Sequence, residues 1–550
     1  MSRRNTRGVS AGIGIMALLF VFLLGIAPQV MAFTSGQTAV TVIGQSNFNL
    51  GTANHGEGGS SVAFGIFLAR DIAFDSHGDL WVADTNNNRV IEFVPGTGTC
   101  STGVLCSNMA ATLVIGQTSM TANGANEGAG ATATSSSLSS PYDVAFDAQG
   151  NLWVVDSSNN RVLEFAYPFS NGEAASVVIG QTSFSANSLN EGGSNPSASS
   201  LDGPTALAFD SSGDLWVADR YNSRVLEYVP GTSGCAADTL CSGMSATKVL
   251  GQSSFTVQTP GYLTATGMYD PYGLAFAPNG NLWVDDSNNG RVLEFASPFS
   301  TGEAASVVLS DATFTTETGS FCRPETLNAS SLCGSEGIAV DSSGDVWVAD
   351  SFNNRVLEFV AGTSGCSSGQ FCNNMAATVV LGQTSFTTSS GATTATGLND
   401  PYGLAFDQNG NLWVSDYNNN RVLEYQGSES TTSSSTTSSS SSTTSTSTTS
   451  SSTTTSSSSS SFGVAATPVC PSASGGTYMP VGATFADQYG NVWAAPGGSA
   501  NGGTYSSYFF PGPPSAVPPP MLQGWGGDYG TYNGQQGWIV TFFCGPQVVF

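Results

Sequence analysis

Few residues in this chain have the chemistry that catalysis requires. Its 550 residues include two histidines, His55 and His77, and a single lysine, Lys248. The repeat pattern described below places the histidines in loops at opposite ends of the fold, so they cannot share a metal ion or cooperate in proton transfer. No G-x-S-x-G sequence marks a serine nucleophile, and no phosphate-binding loop surrounds the lysine. The sequence therefore identifies no catalytic residue.

Three glutamates are weak candidate metal ligands. Glu57, Glu127 and Glu191 lie in glycine-rich segments that read HGEGG, NEGAG and NEGGS. Carboxylate oxygens are typical calcium ligands, so these segments could bind calcium, the one cofactor that the sequence suggests. The alternative is that each glutamate is a solvated turn residue.

Aromatic residues offer a candidate binding surface. Three tyrosines begin predicted strands, and three further aromatic residues lie in asparagine-rich turns. They are Tyr142, Tyr272, Tyr402, Tyr221, Phe352 and Tyr417. If these strand ends and turns face the same side, the six residues form an aromatic rim suited to sugars or peptides. Ordinary loop packing is the alternative explanation.

The strands that must position these residues come from a sixfold internal repeat. One tryptophan marks each copy, and successive tryptophans are 63 to 72 residues apart. Each copy contains three short runs of β-branched and aromatic residues separated by Gly and Asn turns, which predicts three antiparallel strands. The copies are residues 71–93, 143–165, 206–228, 273–295, 337–359 and 403–425.

A second repeated phrase predicts a fourth strand, and its position predicts a closed ring. The phrase reads TVIGQ at 41–45 and VVLGQ at 379–383. The first occurrence precedes the first copy of the triple, and none follows the last. If the chain curls into a ring, residues 38–45 can pair with 421–425 and complete the sixth sheet, which leaves no unpaired edge.

The unit PYGLAFDQNGNLWVSDYNNNRVLEY at 401–425 resembles the NHL repeat family. The resemblance covers about residues 38–425 and implies an all-β fold, a six-bladed β-propeller closed by an N-terminal strand. We therefore expect a propeller domain at 33–425. The resemblance implies no particular activity, because the family includes enzymes, receptors and RNA-binding proteins. Related lyases that hold zinc through several histidines are poor guides for a chain with two.

An aspartate ends the second strand of every copy, and an arginine follows five residues later. Aspartate can accept hydrogen bonds from the next turn, and arginine can bind a carboxylate or cover an aromatic ring. Because every copy has the pair, we assign it a structural role; a ring of six carboxylates around a cation is the alternative. The pairs are Asp84/Arg89, Asp156/Arg161, Asp219/Arg224, Asp286/Arg291, Asp350/Arg355 and Asp416/Arg421.

The ten cysteines predict disulfides. Their even number, together with the N-terminal export signal described below, is typical of disulfide-bonded proteins in an oxidising compartment. The predicted pairs are Cys100/Cys106, Cys235/Cys241, Cys322/Cys333, Cys366/Cys372 and Cys470/Cys544.

The first 32 residues have the pattern of a secretory signal peptide. Three arginines precede the apolar stretch 11–27, and small residues lead to a predicted cut after Ala32. An uncleaved anchor is the alternative; no later segment of the sequence could span a membrane. The net charge of −26 disfavours nucleic acid as a partner. We expect a secreted or cell-surface protein.

The C-terminal part differs from the repeats. Residues 426–461 form a linker in which 430–461 are all Ser or Thr, a composition that cannot form a packed core and predicts disorder. Residues 462–550 are rich in aromatic residues and glycine, and the cysteines near both ends predict a small disulfide-clasped β domain.

Together these features favour a secreted or cell-surface binding or scaffold protein that presents a propeller face to a protein, peptide or glycan. An extracellular lyase or lactonase-like enzyme with calcium at the propeller channel is the alternative, and a structural envelope component is a third hypothesis. The sequence favours an enzyme less, because few residues could perform acid–base chemistry.

Overall fold

The computed structural model describes residues 31–56, 61–261, 263–311, 313–315 and 327–429, together with seven strands between residues 477 and 544. Most of the predicted signal peptide, Glu57, Cys322 and the Ser/Thr tract lie outside the described residues. The chain divides into two compact units, residues 1–435 and 436–550. Within the described residues, no helix is both long enough and apolar enough to cross a membrane.

Six four-stranded antiparallel sheets form a β-propeller, which confirms the predicted fold. Each blade has an inner strand, two middle strands and an outer strand. Blades 1 to 3 comprise Ile72–Phe74, Leu80–Asp84, Arg89–Phe93 and Leu113–Ile115; Pro141–Phe146, Leu152–Asp156, Arg161–Phe165 and Val177–Ile179; and Pro204–Phe209, Leu215–Asp219, Arg224–Tyr228 and Lys248–Leu250. Blades 4 to 6 comprise Pro271–Phe276, Leu282–Asp286, Arg291–Phe295 and Val307–Leu309; Gly337–Val340, Val346–Asp350, Arg355–Phe359 and Val379–Leu381; and Pro401–Phe406, Leu412–Asp416, Arg421–Tyr425 and Thr41–Ile43.

Short 3₁₀ helices form the turns at one end of the blades. One such turn joins the two middle strands of every blade, at Thr85–Asn87, Ser157–Asn159, Arg220–Asn222, Ser287–Asn289, Ser351–Asn353 and Tyr417–Asn419. Three more lie in blade-joining loops, at Ala53–Gly56, Ala125–Gly128 and Leu189–Gly192. We call this end of the propeller the upper end, and the end with the first turn of each blade and the Cys loops the lower end.

The N-terminal strand closes the ring as predicted. Thr41, Val42 and Ile43 pair antiparallel with Glu424, Leu423 and Val422. The outer strand of blade 6 therefore comes from the start of the propeller, and hydrogen bonds rather than a covalent link join the two ends of the ring. A second pairing, between Met31–Ala32 and Ser428–Glu429, extends this closure.

The hydrophobic core lies between neighbouring blades. Trp81 of blade 1 packs edge-on against Phe146 of blade 2, with ring centroids 5.7 Å apart. Trp413 of blade 6 packs in the same way against Phe74 of blade 1, again at 5.7 Å. The six blade tryptophans are each at most 2% exposed. Because a tryptophan carries a large apolar surface, each blade interface is buried only when the next blade is in place.

The repeated Asp–Arg pair is the polar frame of each blade, and its contacts fit the structural assignment. In blade 3, Arg224 Nε donates to Asp219 Oδ2 at 2.7 Å, and both side chains are fully buried. Arg224 Nη2 donates to the carbonyls of Ser197 and Ser200 in the loop before the blade, each at 2.9 Å. Nη1 donates to the carbonyl of Phe255 in the loop after the blade, at 2.5 Å.

Every blade repeats this arrangement. The second oxygen of the aspartate accepts a backbone N–H from the preceding loop, as Asp219 Oδ1 does from Asp202 at 2.7 Å. In blade 6, Arg421 donates to the carbonyl of Phe48, so the frame also joins the two ends of the ring.

Three predicted disulfides are present in the described residues. They are Cys100–Cys106, Cys235–Cys241 and Cys366–Cys372, and each closes a loop that follows an odd-numbered blade. Cys333 is also disulfide-bonded, and its predicted partner lies outside the described residues. The predicted Cys470–Cys544 pair stays a prediction, because Cys470 and the side chain of Cys544 lie outside the described residues.

The second unit contains one seven-stranded antiparallel sheet. Its strands are Thr477–Met479, Thr484–Asp487, Val492–Ala494, Ser499–Ala500, Gly503–Pro511, Gly527–Tyr532 and Gln535–Cys544.

We predict that Arg224→Leu lowers the free energy of unfolding by about 3 to 5 kcal/mol, because it leaves the Asp219 carboxylate buried without its partner. A urea titration followed by tryptophan fluorescence measures this change. Gln149→Ala, in an exposed turn, is the control and should shift stability by less than about 0.5 kcal/mol. An unchanged urea midpoint for Arg224→Leu would contradict the structural role.

Candidate functional site

The starts of the six inner strands surround a small polar cavity at the upper end, which we call the channel mouth. The cavity has a volume of about 190 Å³. In blade order, the outermost position holds Arg70, Tyr142, Thr205, Tyr272, Glu336 and Tyr402. The next position inward holds Asp71, Asp143, Ala206, Gly273, Gly337 and Gly403. The blades thus place different chemistry at equivalent backbone positions.

Arg70 organises one side of the mouth. Its guanidinium lies 3.9 Å from the ring centroid of Tyr142, 4.7 Å from that of Tyr402 and 5.1 Å from that of Tyr417. Its Nη1 donates to Glu336 Oε2 at 3.2 Å. A guanidinium among aromatic faces and paired with a carboxylate is held in one orientation by cation–π attraction and an ion pair.

Arg220 organises the opposite side. Its guanidinium lies 4.6 Å from the ring centroids of both Tyr221 and Tyr272. Its Nε donates to Asp270 Oδ2 at 3.4 Å. The mouth therefore contains two arginine–tyrosine clusters, each with an acidic partner.

The structure brings five of the six predicted aromatic residues together in these two clusters. Tyr142, Tyr402 and Tyr417 surround Arg70, and Tyr221 and Tyr272 flank Arg220. The sixth, Phe352, lies over Gly334, where an added Cβ would come within 2.9 Å of its ring. Tyr221 is 55% exposed and Phe352 is 43% exposed. The role of these residues in ligand binding stays a prediction.

Two aspartates from neighbouring blades share a proton below the rim. Asp71 and Asp143 hydrogen-bond to each other, and backbone N–H groups of Ile72 and Val144 donate to them. Asp143 Oδ2 also accepts the Leu207 N–H at 2.7 Å. Desolvation in the channel raises the pKa of Asp71 to about 6. Desolvation and the nearby Asp71 charge raise the pKa of Asp143 well above its usual range. A hydrogen bond between two carboxyls needs a proton on one of them, so this contact favours a singly protonated pair.

Glycine at position 403 makes room for this pair. A Cβ added there would lie 2.3 Å from Asp71 Oδ1, far inside van der Waals contact. The acidic side chains of blades 1 and 2 therefore depend on the small residue of blade 6.

Burial also raises the pKa of other titratable groups in the mouth. Burial raises the pKa of Glu336 to about 8, against the opposing effect of Arg70. Burial also raises the pKa of Tyr272 and Tyr402, so both phenols keep their protons. The mouth consequently offers hydrogen-bond donors alongside the shared carboxylates.

Of the predicted calcium ligands, Glu127 and Glu191 each bond within their own loop rather than to a common site. Glu127 accepts a hydrogen bond from Ser136 at 3.4 Å, and Glu191 accepts one from Ser199 at 3.1 Å, each within its own loop; Glu57 lies outside the described residues. The Asp71–Asp143 pair also fits calcium poorly, because backbone N–H groups and the shared proton already engage its oxygens, whereas calcium requires six to eight oxygen ligands.

Sequence reasoning missed Arg70, Arg220, Asp71, Asp143 and Glu336. The available signal was their departure from the repeat: the inner strand begins YG in two blades, but RD, YD and EG in others. A residue that breaks a structural repeat at a lining position is a candidate for function.

A model of the family described as NHL repeat matches residues 68–93, 138–165, 201–228, 332–359 and 398–425. Five of the six blades therefore match NHL repeats, as the sequence predicted. Blade 4 lies outside these matches but has the same four strands, Asp–Arg pair and tryptophan as the other blades.

Several solved structures are similar to this chain at low sequence identity. A catalytically inactive virginiamycin B lyase from Staphylococcus aureus, solved with quinupristin, is 10% identical over 72% of this chain and 97% of its own, with a TM-score of 0.36. A gluconolactonase from Xanthomonas campestris is 14% identical over 71% and 98%, with a TM-score of 0.36. A protein of unknown function from Bacteroides thetaiotaomicron is 15% identical over 71% and 76%, with a TM-score of 0.42. A search of curated proteins returns no match.

We predict that Asp143→Asn keeps the propeller folded and reduces the pH dependence of its stability. The raised carboxyl pKa values mean that the folded state binds protons more tightly than the unfolded state, so stability falls as pH rises from about 4 through about 6. The introduced amide can still donate to Asp71 and accept from the Leu207 N–H, but it cannot titrate.

Melting temperatures between about pH 4 and about pH 8 test this prediction. Asp143→Leu is the comparison and should destabilise the protein at every pH, because it removes the acceptor of the Leu207 N–H. A pH profile of Asp143→Asn identical to that of the wild type would show that the pair does not share a proton.

Proposed function

We propose that this protein is a secreted or cell-surface binding protein whose channel mouth binds one unit of a glycan. The observation that carries the proposal is the pair of arginine–tyrosine clusters at the rim of a small polar cavity. The frame of the propeller is the same in every blade, whereas the mouth differs from blade to blade, as expected of a recognition surface.

The chemistry of the mouth suits a sugar. A sugar ring has an apolar face that stacks on exposed aromatic rings, which Tyr221 and Phe352 provide, and hydroxyls that need both donors and acceptors. Arg70 and the protonated tyrosines supply donors, and the Asp71–Asp143 pair supplies acceptors. A cavity of about 190 Å³ is smaller than the sites that hold drug-sized ligands, so it fits a single ring.

Export and attachment complete the proposal. The N-terminal pattern at 1–32 supports secretion, and closed disulfide loops agree with an oxidising compartment. We infer that residues 462–550, beyond a Ser/Thr linker, anchor or assemble the protein and leave the propeller free to bind a ligand.

We expect Tyr221→Ala to weaken binding of a glycan selected on an array by about tenfold, which corresponds to about 1.4 kcal/mol of lost stacking. Titration calorimetry of the full-length protein measures the change. Tyr167→Ala is a matched control, because this tyrosine is also 55% exposed but lies at the lower end.

Two results would count against this function. One is an equal affinity for the selected glycan in wild type and Tyr221→Ala. The other is an array on which only peptides bind, or on which nothing binds, which would favour a peptide receptor or a structural envelope component.

The second candidate is an extracellular lyase or lactonase-like enzyme, favoured by the Asp71–Asp143 pair. Two carboxyls that share one proton place an acid beside a base, as acid–base catalysis requires. Under this alternative, wild-type protein turns over a sugar lactone or a uronate polysaccharide, and Asp143→Asn reduces kcat by at least about 100-fold. A lack of turnover in the wild type on both substrate classes would eliminate it.

A further inference from the structure

The lower end of the propeller repeats a polar trio that differs systematically between blades. Most blades place there the first-turn aspartate, an Asn or Asp that starts the second strand, and a glutamate of the third strand. In blade 2 the central residue is Asn151, whose amide donates to Asp147 Oδ2 at 2.9 Å and to Glu164 Oε1 at 3.1 Å. The amide thus bridges the two carboxylates and neutralises their repulsion in part.

In blades 1, 3 and 5 the bridging amide is replaced by a carboxylate, at Asp79, Asp214 and Asp345. Three acidic groups then lie together. In blade 3 the protein supplies its own cation: Lys248 Nζ lies 2.5 Å from Glu227 Oε1. Lys248 stands directly opposite Glu227 in the strand register, so its ammonium reaches the trio from the outer strand.

Blade 1 has the same three carboxylates without an internal ammonium. The residue opposite Glu92 is Leu113, in the register position that Lys248 occupies in blade 3. Instead of a lysine there is a cavity of about 500 Å³, lined by Asp75, Asp79, Glu92 and Leu113 among others.

An aromatic wall accompanies this cavity. Tyr167, from blade 2, stacks on His77 with ring centroids 5.9 Å apart and planes at 19°. The equivalent residue beside blade 3 is Ser297: the backbone N–H of each donates to the corresponding asparagine, Asn151 or Asn281, at 3.2 Å. Blade 1 therefore has Leu113 where blade 3 has Lys248, and Tyr167 where blade 3 has Ser297. The internal cation of blade 3 is replaced in blade 1 by an open space with an aromatic wall.

The charge of the blade 1 trio is compensated only in part, by His77, whose Nδ1 lies 3.6 Å from Asp75 Oδ2. Desolvation, followed by the charges of Asp75 and Glu92, raises the pKa of Asp79 to about 6. The charge of His77 acts in the opposite direction and lowers the pKa of Asp79, but the His77 side chain is 60% exposed to solvent. A bound cation would relieve this repulsion.

We propose that the blade 1 cavity binds a primary ammonium group on an alkyl chain, as carried by the side chain of lysine in a peptide. The ammonium lies among Asp75, Asp79 and Glu92, and the methylenes pack on Tyr167 and Leu113. This site is at the opposite end from the channel mouth and is independent of the function proposed for it.

The donor count favours an ammonium over a divalent cation. Backbone N–H groups of His77 and Asp79 already bond to Asp75 Oδ1, and the Thr112 hydroxyl bonds to Glu92 Oε2. The remaining oxygens match the three N–H donors of an ammonium but are too few for the six to eight ligands of calcium. The aromatic wall adds cation–π attraction, which a hydrated metal ion gains less readily.

The test measures binding of Nα-acetyl-lysine amide to the full-length protein by saturation-transfer NMR. Nα-acetyl-norleucine amide is the uncharged comparison, and calcium chloride is a separate arm. We expect Leu113→Lys to weaken lysine-amide binding at least tenfold, because it installs the internal ammonium that blade 3 already has and therefore should fold. Val379→Lys adds the same charge opposite Glu358 in blade 5, outside this cavity, and should leave binding at blade 1 unchanged.

Equal binding by wild type and Leu113→Lys would overturn the proposal, as would equal binding of the lysine and norleucine amides, or binding of calcium alone. Tyr221→Ala should not affect this site, so a failure here is distinguishable from a failure at the channel mouth.

Discussion

The buried Asp–Arg pair is the interaction on which the rest of this propeller depends. Arg224 is five residues from Asp219 in sequence, yet its donors bind carbonyls in the loops before and after its blade. Removing a guanidinium from water is costly unless nearly all its donors are satisfied, so the arginine stabilises the fold only when three chain segments converge on it. A local sequence feature thereby enforces contact between blades, and Arg421 applies the same constraint across the closure of the ring.

A frame repeated six times allows other positions to vary. The backbone places an equivalent position near the start of every inner strand at the channel mouth, whether the residue there is Arg70, Thr205 or Glu336. At the lower end, the same frame holds an asparagine bridge in blade 2, an internal ammonium in blade 3 and an open acidic cavity in blade 1. Both candidate sites are thus departures from the repeat on an unchanged scaffold, which is how recognition commonly evolves on repeat folds.

The fold was predictable because its determinants are local and repeated. Strand and turn signals recur six times, and counting the outer-strand phrases was sufficient to predict that Thr41–Ile43 would complete the last blade. Three disulfides were predictable because each joins cysteines six residues apart. The aromatic residues were predicted as a set, but the arginines between them were missed, because a single arginine, at a strand start like Arg70 or in a turn like Arg220, has no local signature.

By itself, the sequence determined the blade, the number of blades and the way the ring closes, since hydrophobic periodicity, turn residues and the Asp–Arg spacing act within a few tens of residues. Only the tertiary structure decided which unlike residues meet. Arg70 pairs with Glu336, 266 positions away, and Asp71 shares a proton with Asp143, because ring closure brings the blades around a common axis. Such contacts depend on the angle between blades and on side-chain direction, and neither leaves a pattern along the chain.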